Sequence, residues 1–292
     1  MRERSKIDFD GIAKHPDVQR LIALALDEDL ADAGDVTSIS LVDAESADEG
    51  WIVAREPMVL AGLPIAVEVF RVISDELDVE CFKHDGDRVD ARTRLMRIKG
   101  PARAILSGER LALNFLQRLC GVATVTREFV AKVEGHKTQL LDTRKTTPGF
   151  RILEKYAVFC GGGSNHRCGL YDQVLIKDNH LSYWADENGG GLQEAVLAAR
   201  KKYPELLVEI ETDTVTQVRE VLPAQPDVIL LDNMTLDDLR ICVKLCKGVC
   251  QTEASGGVNL DTITDIAATG VDAISVGGLT HSAPSMDLAM DF

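Results

Sequence analysis

Hydrophobic positions in the second half of the chain form short continuous runs, separated by longer segments in which they recur every three or four residues. Short continuous runs are typical of strands buried on both faces, and the longer spacing is typical of amphipathic helices. The predicted strands are QLLDT, QVLIKD, LLVEIET, DVILLD, VCQTEA and DAISVGG. The helical segments among them include GLQEAVLAARKKY, TVTQVREVLP, TLDDLRICVKLC and LDTITDIAATG. Strands that alternate with helices predict a parallel sheet covered by helices, either a closed α/β barrel or an open doubly wound sheet.

The N-terminal part of the chain has a different pattern. Short β-like runs, GWIVAR and RLMRIKGPARAIL, lie on either side of the helical stretch LPIAVEVFRVI. This is α+β patterning with antiparallel pieces. Before them, DVQRLIALALDEDL is an apolar-periodic helix that follows Pro16, and we expect Asp17 to cap it. Two domains of different construction are therefore predicted.

The longest helical stretch runs from Ser107 to Glu134 and marks the predicted domain boundary. Ser107 starts it, and we expect Gly121 to divide it in two. We therefore predict one domain over residues 1–122 and a second over residues 123–279, with residues 280–292 able to pack back on the first.

Polar residues or glycines follow nearly every predicted strand of the second domain. In a barrel the strand ends converge on one mouth, where such enzymes keep their active sites, whereas an open sheet uses mainly its switch point. The pattern therefore favours the barrel. The residues at these strand ends are Thr143, Arg144, Lys145, Lys177, Glu211, Asp232, Ser255, Gly256, Gly257, Gly277 and Gly278.

Composition and charge narrow the class of protein. The 292 residues are 45% hydrophobic and 27% charged, which is ordinary for a globular chain. A net charge of −15 argues against general affinity for nucleic acid or anionic membranes, so any bound anion needs a local cluster of cations. The N-terminus lacks the apolar core of a signal peptide, and no apolar run is long enough to span a membrane. We expect a soluble cytoplasmic protein.

The seven cysteines are expected to be free thiols, because their number is odd and no export signal precedes them. Cys242, Cys246 and Cys250 recur every four residues, and the first two would stack on one face of a helix that Gly248 ends. Buried packing as small apolar side chains is predicted, with a metal or redox role as the alternative. The absence of any CxxC pair weakens a structural zinc site.

Two glycine pairs, Gly256–Gly257 and Gly277–Gly278, follow the last two predicted strands. Glycines let backbone N–H groups approach an anion closely, and the loops after the last barrel strands often bind phosphate. The alternative is that both pairs are tight turns. His281, three residues after Gly278, could bond a phosphate oxygen or cap the turn.

Cations are concentrated between Thr143 and His180, a segment that contains six Lys or Arg residues and only three acidic residues. We assign Arg151 and Lys155 to a solvated helix face. Arginine matches a carboxylate or phosphate with two bonds, and lysine acts as a point charge. Several cations facing one cavity imply a substrate with more than one anionic group. The cations expected at the mouth are Arg144, Lys145 and Lys177.

Glu211 and Asp232 are carboxylates at successive strand ends. They could neutralise neighbouring cations, coordinate Mg²⁺, hydrogen-bond sugar hydroxyls or stabilise a developing positive charge. These alternatives stay open on the residues alone.

The segment from Tyr156 to His180 has three glycines, two cysteines and two histidines. Its spacing lacks the close pairs of a zinc site, and its glycines follow a helix and do not form a Walker-type loop. A turn into SNHR is expected, which could place His166 and Arg167 at the mouth.

These motifs resemble the quinolinate phosphoribosyltransferase family, the decarboxylating nicotinate-nucleotide pyrophosphorylases of NAD biosynthesis. The resemblance covers nearly the whole chain. It is carried by EDLADAGDVTS, SGERLALNFLQRLCGVAT, DTRKTTPGFRILEKYAV, GGGSNHRCGLYDQVLIKDNH, VEIET, ILLDNM, EASGGVN and VGGLTHSAP.

The resemblance implies an N-terminal α/β sandwich beside an incomplete parallel α/β (TIM-like) barrel. It also implies a homodimer in which the partner's N-terminal domain closes each barrel mouth, and it leaves open whether dimers assemble further. The implied reaction joins quinolinate to phosphoribosyl pyrophosphate with Mg²⁺, and yields nicotinate mononucleotide, pyrophosphate and CO₂. No covalent enzyme intermediate is implied, so the cysteines have no part in it.

The resemblance also implies roles for particular residues. Arg110 would reach quinolinate from the partner subunit, and Lys145, Glu211 and Asp232 would be catalytic, the last two with Mg²⁺. The residues implied to hold the two carboxylates are Thr143, Arg144, His166, Arg167 and Lys177. Those implied to surround the ribose and phosphates are Lys145, Glu211, Asp232, Ser255, Gly256, Gly257, Gly277, Gly278 and His281.

Two rival functions remain on the sequence. One is a sister pyrophosphorylase of the same fold that acts on a related nitrogen heterocycle, and the other is a non-catalytic sensor of phosphate ligands. The number of carboxylates on the substrate distinguishes the first rival from a quinolinate enzyme, and turnover distinguishes the second.

Overall fold

The computed structural model describes residues 7–292 and divides into two compact units. The parallel-sheet unit contains Ile7, Glu128–Lys145 and Gly163–Gly278. The antiparallel-sheet unit contains Asp8–Arg127, Thr146–Gly162 and Leu279–Phe292. No helix among residues 7–292 is long and apolar enough to cross a membrane.

The elements follow in chain order. The first are α1 (Pro16–Leu30), α2 (Val36–Leu41), β1 (Ala47–Ala54), β2 (Met58–Val59), α3 (Leu63–Ile73), β3 (Asp78–Cys81), β4 (Arg88–Val89), β5 (Arg94–Pro101) and α4 (Ala102–Val133). Next come β6 (Gln139–Leu141), α5 (Arg151–Cys160), β7 (Val174–Ile176), α6 (Asp178–Asn188), α7 (Leu192–Lys202), β8 (Val208–Thr212) and α8 (Val215–Val221). The last are β9 (Val228–Asp232), α9 (Leu236–Cys246), β10 (Gln251–Ser255), α10 (Ile263–Ala267), β11 (Ala273–Ser275), α11 (Gly278–His281) and β12 (Leu288–Asp291).

The parallel-sheet unit is built on a six-stranded sheet in the order β6-β11-β10-β9-β8-β7. All of its strand pairs are parallel. The strands are short and largely buried, and β9 is apolar and buried along Val228–Leu231. Strands β6 and β7 are the two ends of the hydrogen-bonded order, so within residues 7–292 these ladders leave the sheet open between them. The predicted α/β class is confirmed, and all six predicted strands are present.

The antiparallel-sheet unit contains a four-stranded sheet in the order β12-β1-β5-β3. Its strand pairs are antiparallel. The C-terminal strand β12 pairs with β1 from Trp51–Asp291 to Ala54–Leu288. Strands β2 and β4 form a separate antiparallel pair. The antiparallel pieces predicted for the N-terminal region are therefore present.

Helix α4 is continuous, so the expectation that Gly121 divides it is wrong. The physical reason is space on the helix surface. A Cβ at position 121 would lie 1.8 Å from the carbonyl oxygen of Pro284, so glycine lets the segment at Pro284 and Ser285 lie directly on the helix. The glycine serves packing between elements, and the helix tolerates its lower propensity.

The expected cap of α1 is also wrong. The helix begins at Pro16, one residue earlier than predicted, so the capping position falls on His15. Nδ1 of His15 accepts a hydrogen bond from the backbone N–H of Asp17 at 3.2 Å. Proline suits the first position of a helix because it has no N–H to satisfy.

Lys155 is fully buried, so its assignment to a solvated helix face is wrong. The buried positions of α5 run from Ile152 to Val158 and include Glu154. Neighbouring Arg151 is partly exposed, and its Nε donates to Oγ1 of Thr146 at 3.0 Å.

All seven cysteines are free thiols, as predicted. Cys242 and Cys246 are buried on α9, and Cys250 is buried just beyond it. Burial raises the pKa of the Cys120 thiol to about 12. Cys242, Cys246 and Cys250 are therefore buried as the interpretation of small apolar side chains predicts.

A buried ion pair joins four segments of the antiparallel-sheet unit. Arg118 on α4 donates from Nε at 3.1 Å and from Nη2 at 2.6 Å to Oε1 of Glu154, which is fully buried. Arg118 also donates to the carbonyl oxygens of Thr280 and Ala283. Glu154 accepts the backbone N–H and the hydroxyl of Thr147. One ion pair thereby fixes α4, α5, the loop at Thr147, and α11 with the residues that follow it.

Removing one member of this pair should be costly. We expect Arg118→Met to lower the free energy of unfolding by about 3–5 kcal/mol, because it leaves the Glu154 carboxylate buried without its cation. The double change Arg118→Met/Glu154→Gln should lose less than the sum of the two single changes. Urea denaturation of all three variants measures this coupling.

The matched control for that experiment is Arg97→Met. Arg97 pairs with Asp78 and Glu80, whose side chains are 69% and 51% exposed, so its loss should stay within about 1 kcal/mol. Additive losses at Arg118 and Glu154, or a loss at Arg118 no larger than at Arg97, would contradict the assigned role.

Candidate active site

The predicted site residues of the parallel-sheet unit gather along one edge of its sheet. Parallel strands all run the same way, so the residues at their carboxyl ends share that edge. The register pairs Ser255 at the end of β10 with Asp232 at the end of β9. The residues placed at this edge are Thr143, Arg144 and Lys145 after β6, Lys177 after β7, Glu211 in β8, Asp232 in β9, Ser255 in β10, Gly256 and Gly257 after β10, and Gly277 and Gly278 after β11.

Arg110 and His281 belong to the antiparallel-sheet unit. The side chain of Arg110 is 63% exposed, and its Nη2 lies 3.9 Å from a carboxylate oxygen of Glu109. Nδ1 of His281 lies 2.6 Å from Oγ of Ser282, and the residue is exposed. The substrate contacts predicted for both stay predictions.

Asp142, at the end of β6, fixes the loop that carries His166. Its fully buried carboxylate accepts the backbone N–H of His166 at 2.8 Å and the side-chain amide of Asn165 at 2.7 Å. Just before it, Leu141 and Ser164 form a parallel β-bridge. The start of this loop is therefore joined to the end of β6 by a bridge that the sequence analysis did not predict.

His166 is buried, and both of its ring nitrogens face protein groups. Nδ1 accepts the backbone N–H of Arg167 at 2.7 Å. Nε2 lies 3.2 Å from Oε2 of Glu209 and 3.5 Å from Oε1 of Glu253. Since an accepting Nδ1 carries no proton, the ring proton is on Nε2 and points at the carboxylates. The direct contact of His166 with a substrate carboxylate stays a prediction.

Arg144 and Arg167 form a pair of like charges at the site. Burial, and after it the positive charge of Arg144, lowers the pKa of the Arg167 guanidinium from its usual value. Nη1 of Arg167 donates to the carbonyl oxygen of Gln173 at 3.2 Å. Nε of Arg144 is buried and has no hydrogen-bond partner within residues 7–292. Two close, partly desolvated cations make a site that favours an anion.

Lys177 and Glu211 form an ion pair at the same edge. Nζ of Lys177 lies 2.9 Å from Oε2 of Glu211, with side-chain exposures of 47% and 16%. A half-exposed pair adds little stability, so its main effect is to hold the lysine ammonium group in place. The Lys177 backbone N–H donates to Nδ1 of His180, which fixes the start of α6.

Asp232 is held between two neighbours at the ends of β9 and β10. Its Oδ1 accepts the hydroxyl of Ser255 at 2.5 Å, and its Oδ2 accepts the side-chain amide of Asn233 at 2.7 Å. The backbone N–H of Asn233 donates to the carbonyl oxygen of Ser255 at 3.0 Å. Gly256 follows with φ 91°, close against Asn233. The carboxylate therefore has a fixed orientation at the edge.

Two sets of side chains have donor atoms suited to a metal ion. His166, Glu209 and Glu253 each offer one atom within 4.8 Å of the others, but a metal there would have to displace the proton on His166 Nε2. Glu211 and Asp232 are partly exposed carboxylates, and carboxylate oxygens are the ligands that Mg²⁺ prefers. The residues predicted to hold Mg²⁺ are thus chemically suited to it.

Sequence reasoning did not find the buried polar residues behind the site. They are Asp142, Gln173, Glu209 and Glu253, each no more than 3% exposed. One signal was available, since Glu209 precedes Glu211 by two residues on a strand and must point to the same face. Asp142, Gln173 and Glu253 lie inside the quoted motifs, but nothing in the sequence marks them as buried.

The glycine pair after β10 yields a test of backbone geometry. A Cβ at Gly256 would lie 2.1 Å from Oδ1 and 2.9 Å from the backbone nitrogen of Asn233, whereas one at Gly257 would meet nothing within 4 Å. Both residues have positive φ, 91° and 61°. Gly257→Ala should therefore lower the free energy of unfolding by only about 1–2 kcal/mol.

Gly256→Ala should lower it further, because the clash forces Asn233 and with it Asp232 to move. Thermal unfolding of the two variants side by side measures the difference. Equal destabilisation would mean that the close approach at Asn233 is not a constraint.

Comparisons with known proteins agree with this geometry. Residues 122–291 match the family described as quinolinate phosphoribosyl transferase, C-terminal domain, and residues 35–120 match its N-terminal domain. The chain is 42% identical over 278 residues to a Bacillus subtilis (strain 168) protein named probable nicotinate-nucleotide pyrophosphorylase (carboxylating), covering 95% of this chain and 94% of the relative.

Two further relatives extend the comparison. A mitochondrial Nicotiana tabacum protein named quinolinate phosphoribosyltransferase (decarboxylating) 2b is 38% identical, covering 94% of this chain and 83% of the relative. The solved structure of the nicotinate-nucleotide pyrophosphorylase from Francisella tularensis has a TM-score of 0.90 and 37% identity, covering 99% of both chains. The chain therefore belongs to the quinolinate phosphoribosyltransferase family, as its sequence motifs predict.

Proposed function

We propose that this protein transfers the phosphoribosyl group of phosphoribosyl pyrophosphate to quinolinate, releasing pyrophosphate and CO₂ and forming nicotinate mononucleotide for NAD biosynthesis. The observation that carries the proposal is the pair Arg144 and Arg167, close and partly desolvated like charges in a chain of net charge −15. Such a cluster suits a substrate with two carboxylates. The relatives named above include enzymes named for this reaction.

The proposed dicarboxylate pocket comprises Arg144, Arg167 and Lys177, with Thr143. A planar guanidinium binds a carboxylate through two parallel hydrogen bonds, so two arginines can orient both carboxylates of one ring. The hydroxyl of Thr143 accepts the backbone N–H of Lys145 at 3.0 Å, which shapes the turn between the pocket and Lys145. Partner-derived Arg110 would complete the pocket.

The phosphoribosyl side of the site is proposed for the strand ends next to the pocket. Lys145 is exposed, which suits contact with a phosphate, and the glycines after β10 and β11 would let backbone N–H groups approach an anion closely. Asp232 and Glu211 are proposed to contact the ribose and to hold Mg²⁺, directly or through substrate or water. When bound, Mg²⁺ would neutralise charge on the pyrophosphate leaving group.

The chemistry requires positioning and charge stabilisation. As pyrophosphate leaves, positive charge develops at the anomeric carbon, which the carboxylates Glu211 and Asp232 can stabilise. The pyridine nitrogen forms the new bond to that carbon. The quaternised nitrogen then stabilises the electron pair left at C2 when CO₂ departs, and a proton replaces the carboxylate. Holding the pyridine ring of quinolinate against the ribose supplies the remaining rate acceleration.

The proposal includes a homodimer with a shared active site and a cytoplasmic location. Arg110 would act across the dimer interface, and its largely exposed side chain supports this assignment. The alternative of a related heterocycle with a single carboxylate leaves the second arginine without a partner, so it is not favoured.

The assay that tests the proposal uses purified protein, Mg²⁺ and phosphoribosyl pyrophosphate. We expect quinolinate to be consumed with one CO₂ and one pyrophosphate released per nicotinate mononucleotide formed. Carboxyl-labelled quinolinate follows the CO₂ directly. Turnover of nicotinate at an equal rate, with no CO₂ from quinolinate, would contradict the proposal, and binding without turnover would favour the sensor.

A further inference from the structure

We propose that Glu209 is a positioning residue for the quinolinate pocket, acting on Arg167 through His166 and Gln173. This inference rests on the proposed function and goes beyond it, because Glu209 itself is fully buried and makes no proposed contact with substrate. It assigns a purpose to a carboxylate that the reaction as described does not use.

The four residues form a closed ring of contacts within the parallel-sheet unit. Oε2 of Glu209 accepts the side-chain amide of Gln173 and lies 3.2 Å from Nε2 of His166. Nδ1 of His166 accepts the backbone N–H of Arg167. Nη1 of Arg167 donates to the backbone carbonyl of Gln173. The ring therefore runs from Glu209 through His166 to Arg167 and back through Gln173.

The ring holds both ends of Arg167. The contact from His166 fixes its backbone, and the contact to Gln173 fixes one nitrogen of its guanidinium group. A side chain with four rotatable bonds is ordered only when such contacts restrict it, so the remaining guanidinium nitrogens can be presented to a ligand. Glu209 is the one member that contacts both residues which hold Arg167.

The position of Glu209 on β8 explains how a fully buried residue can affect the site at the edge of the sheet. Glu209 and Glu211 are two residues apart on the strand, so both side chains point to the same face. Glu211 is partly exposed at the edge and pairs with Lys177, whereas Glu209 is fully buried. The two carboxylates thus hold two different cations of the pocket, one directly and one through the ring.

A carboxylate suits this position because it accepts two N–H donors on one oxygen. A charged acceptor makes shorter and stronger hydrogen bonds than a neutral one, and low local dielectric strengthens both. It also fixes the His166 tautomer, since the proton on Nε2 faces Glu209 and leaves Nδ1 as the acceptor for Arg167. A neutral side chain at position 209 would weaken both contacts together.

The test compares Glu209→Gln, Gln173→Met and the double variant with wild-type protein. Gln173→Met removes the amide donor but keeps the backbone carbonyl that Arg167 uses. Each single change should raise the KM for quinolinate about tenfold, with the KM for phosphoribosyl pyrophosphate changed less than about twofold. Calorimetric titration with quinolinate alone should show the same loss of affinity, independent of turnover.

The double variant shows whether Glu209 and Gln173 act through the same ring of contacts or through two independent effects. Because both changes break the same ring, their combined effect should fall well short of the roughly hundredfold product of the single effects. The matched control is Thr252→Val, which removes a buried hydroxyl that donates to Asp272 at 2.9 Å outside the ring. It should lower stability and leave both KM values unchanged.

The proposal is overturned if Gln173→Met binds quinolinate as tightly as wild type, or if both KM values rise together in the ring variants and in Thr252→Val alike. Multiplicative effects in the double variant would also overturn it. Wild-type protein that neither binds nor converts quinolinate would instead count against the proposed function, and this is measured before any variant is made.

Discussion

Backbone hydrogen bonds between parallel strands are the constraint on which the candidate site depends. They fix the register of β8, β9 and β10, so that Ser255 stands opposite Asp232 and the strand ends share one edge. The hydrogen bonds between the strands therefore set the position of each side chain at this edge. A shift of one residue would turn Glu209 and Glu211 to the opposite face and exchange their apolar neighbours with them.

Charge is arranged in two layers at this edge. Partly exposed cations, Arg144, Arg167 and Lys177, lie at the accessible level, and fully buried carboxylates, Asp142 and Glu209, lie behind them. The buried layer orders loops and side chains, because a desolvated carboxylate requires its hydrogen-bond donors in place. The accessible layer keeps guanidinium groups for an anionic ligand. This division lets a strongly acidic chain retain a local anion site.

Most of the fold could be predicted from the pattern of apolar residues. Continuous apolar runs gave all six parallel strands, and the strand-end rule brought residues far apart in the chain, such as Lys177 and Glu211, to one edge. Boundaries depending on packing could not be predicted. Glycine occurs inside α4 at position 121 because the backbone of Pro284 packs directly against the helix there. Nothing near Gly121 in the sequence indicates that contact.

The chemistry of the site was predictable only at its accessible surface. Motifs identify residues such as Arg144 and Asp232. Lys155 and Glu209 are residue types that are usually solvated, yet both are fully buried. Burial of a charge depends on partners supplied by other strands and helices, which local sequence does not specify. The supporting layer therefore had to be read from the structure.

We propose that the paired arginines Arg144 and Arg167 select a ligand with two carboxylates. Isothermal titration of wild-type protein with quinolinate and with nicotinate, each without phosphoribosyl pyrophosphate, tests it most directly. We expect quinolinate to bind at least about tenfold more tightly than nicotinate, since loss of one charge-assisted carboxylate contact costs about 1.5–3 kcal/mol. Equal affinities for the two ligands would contradict it.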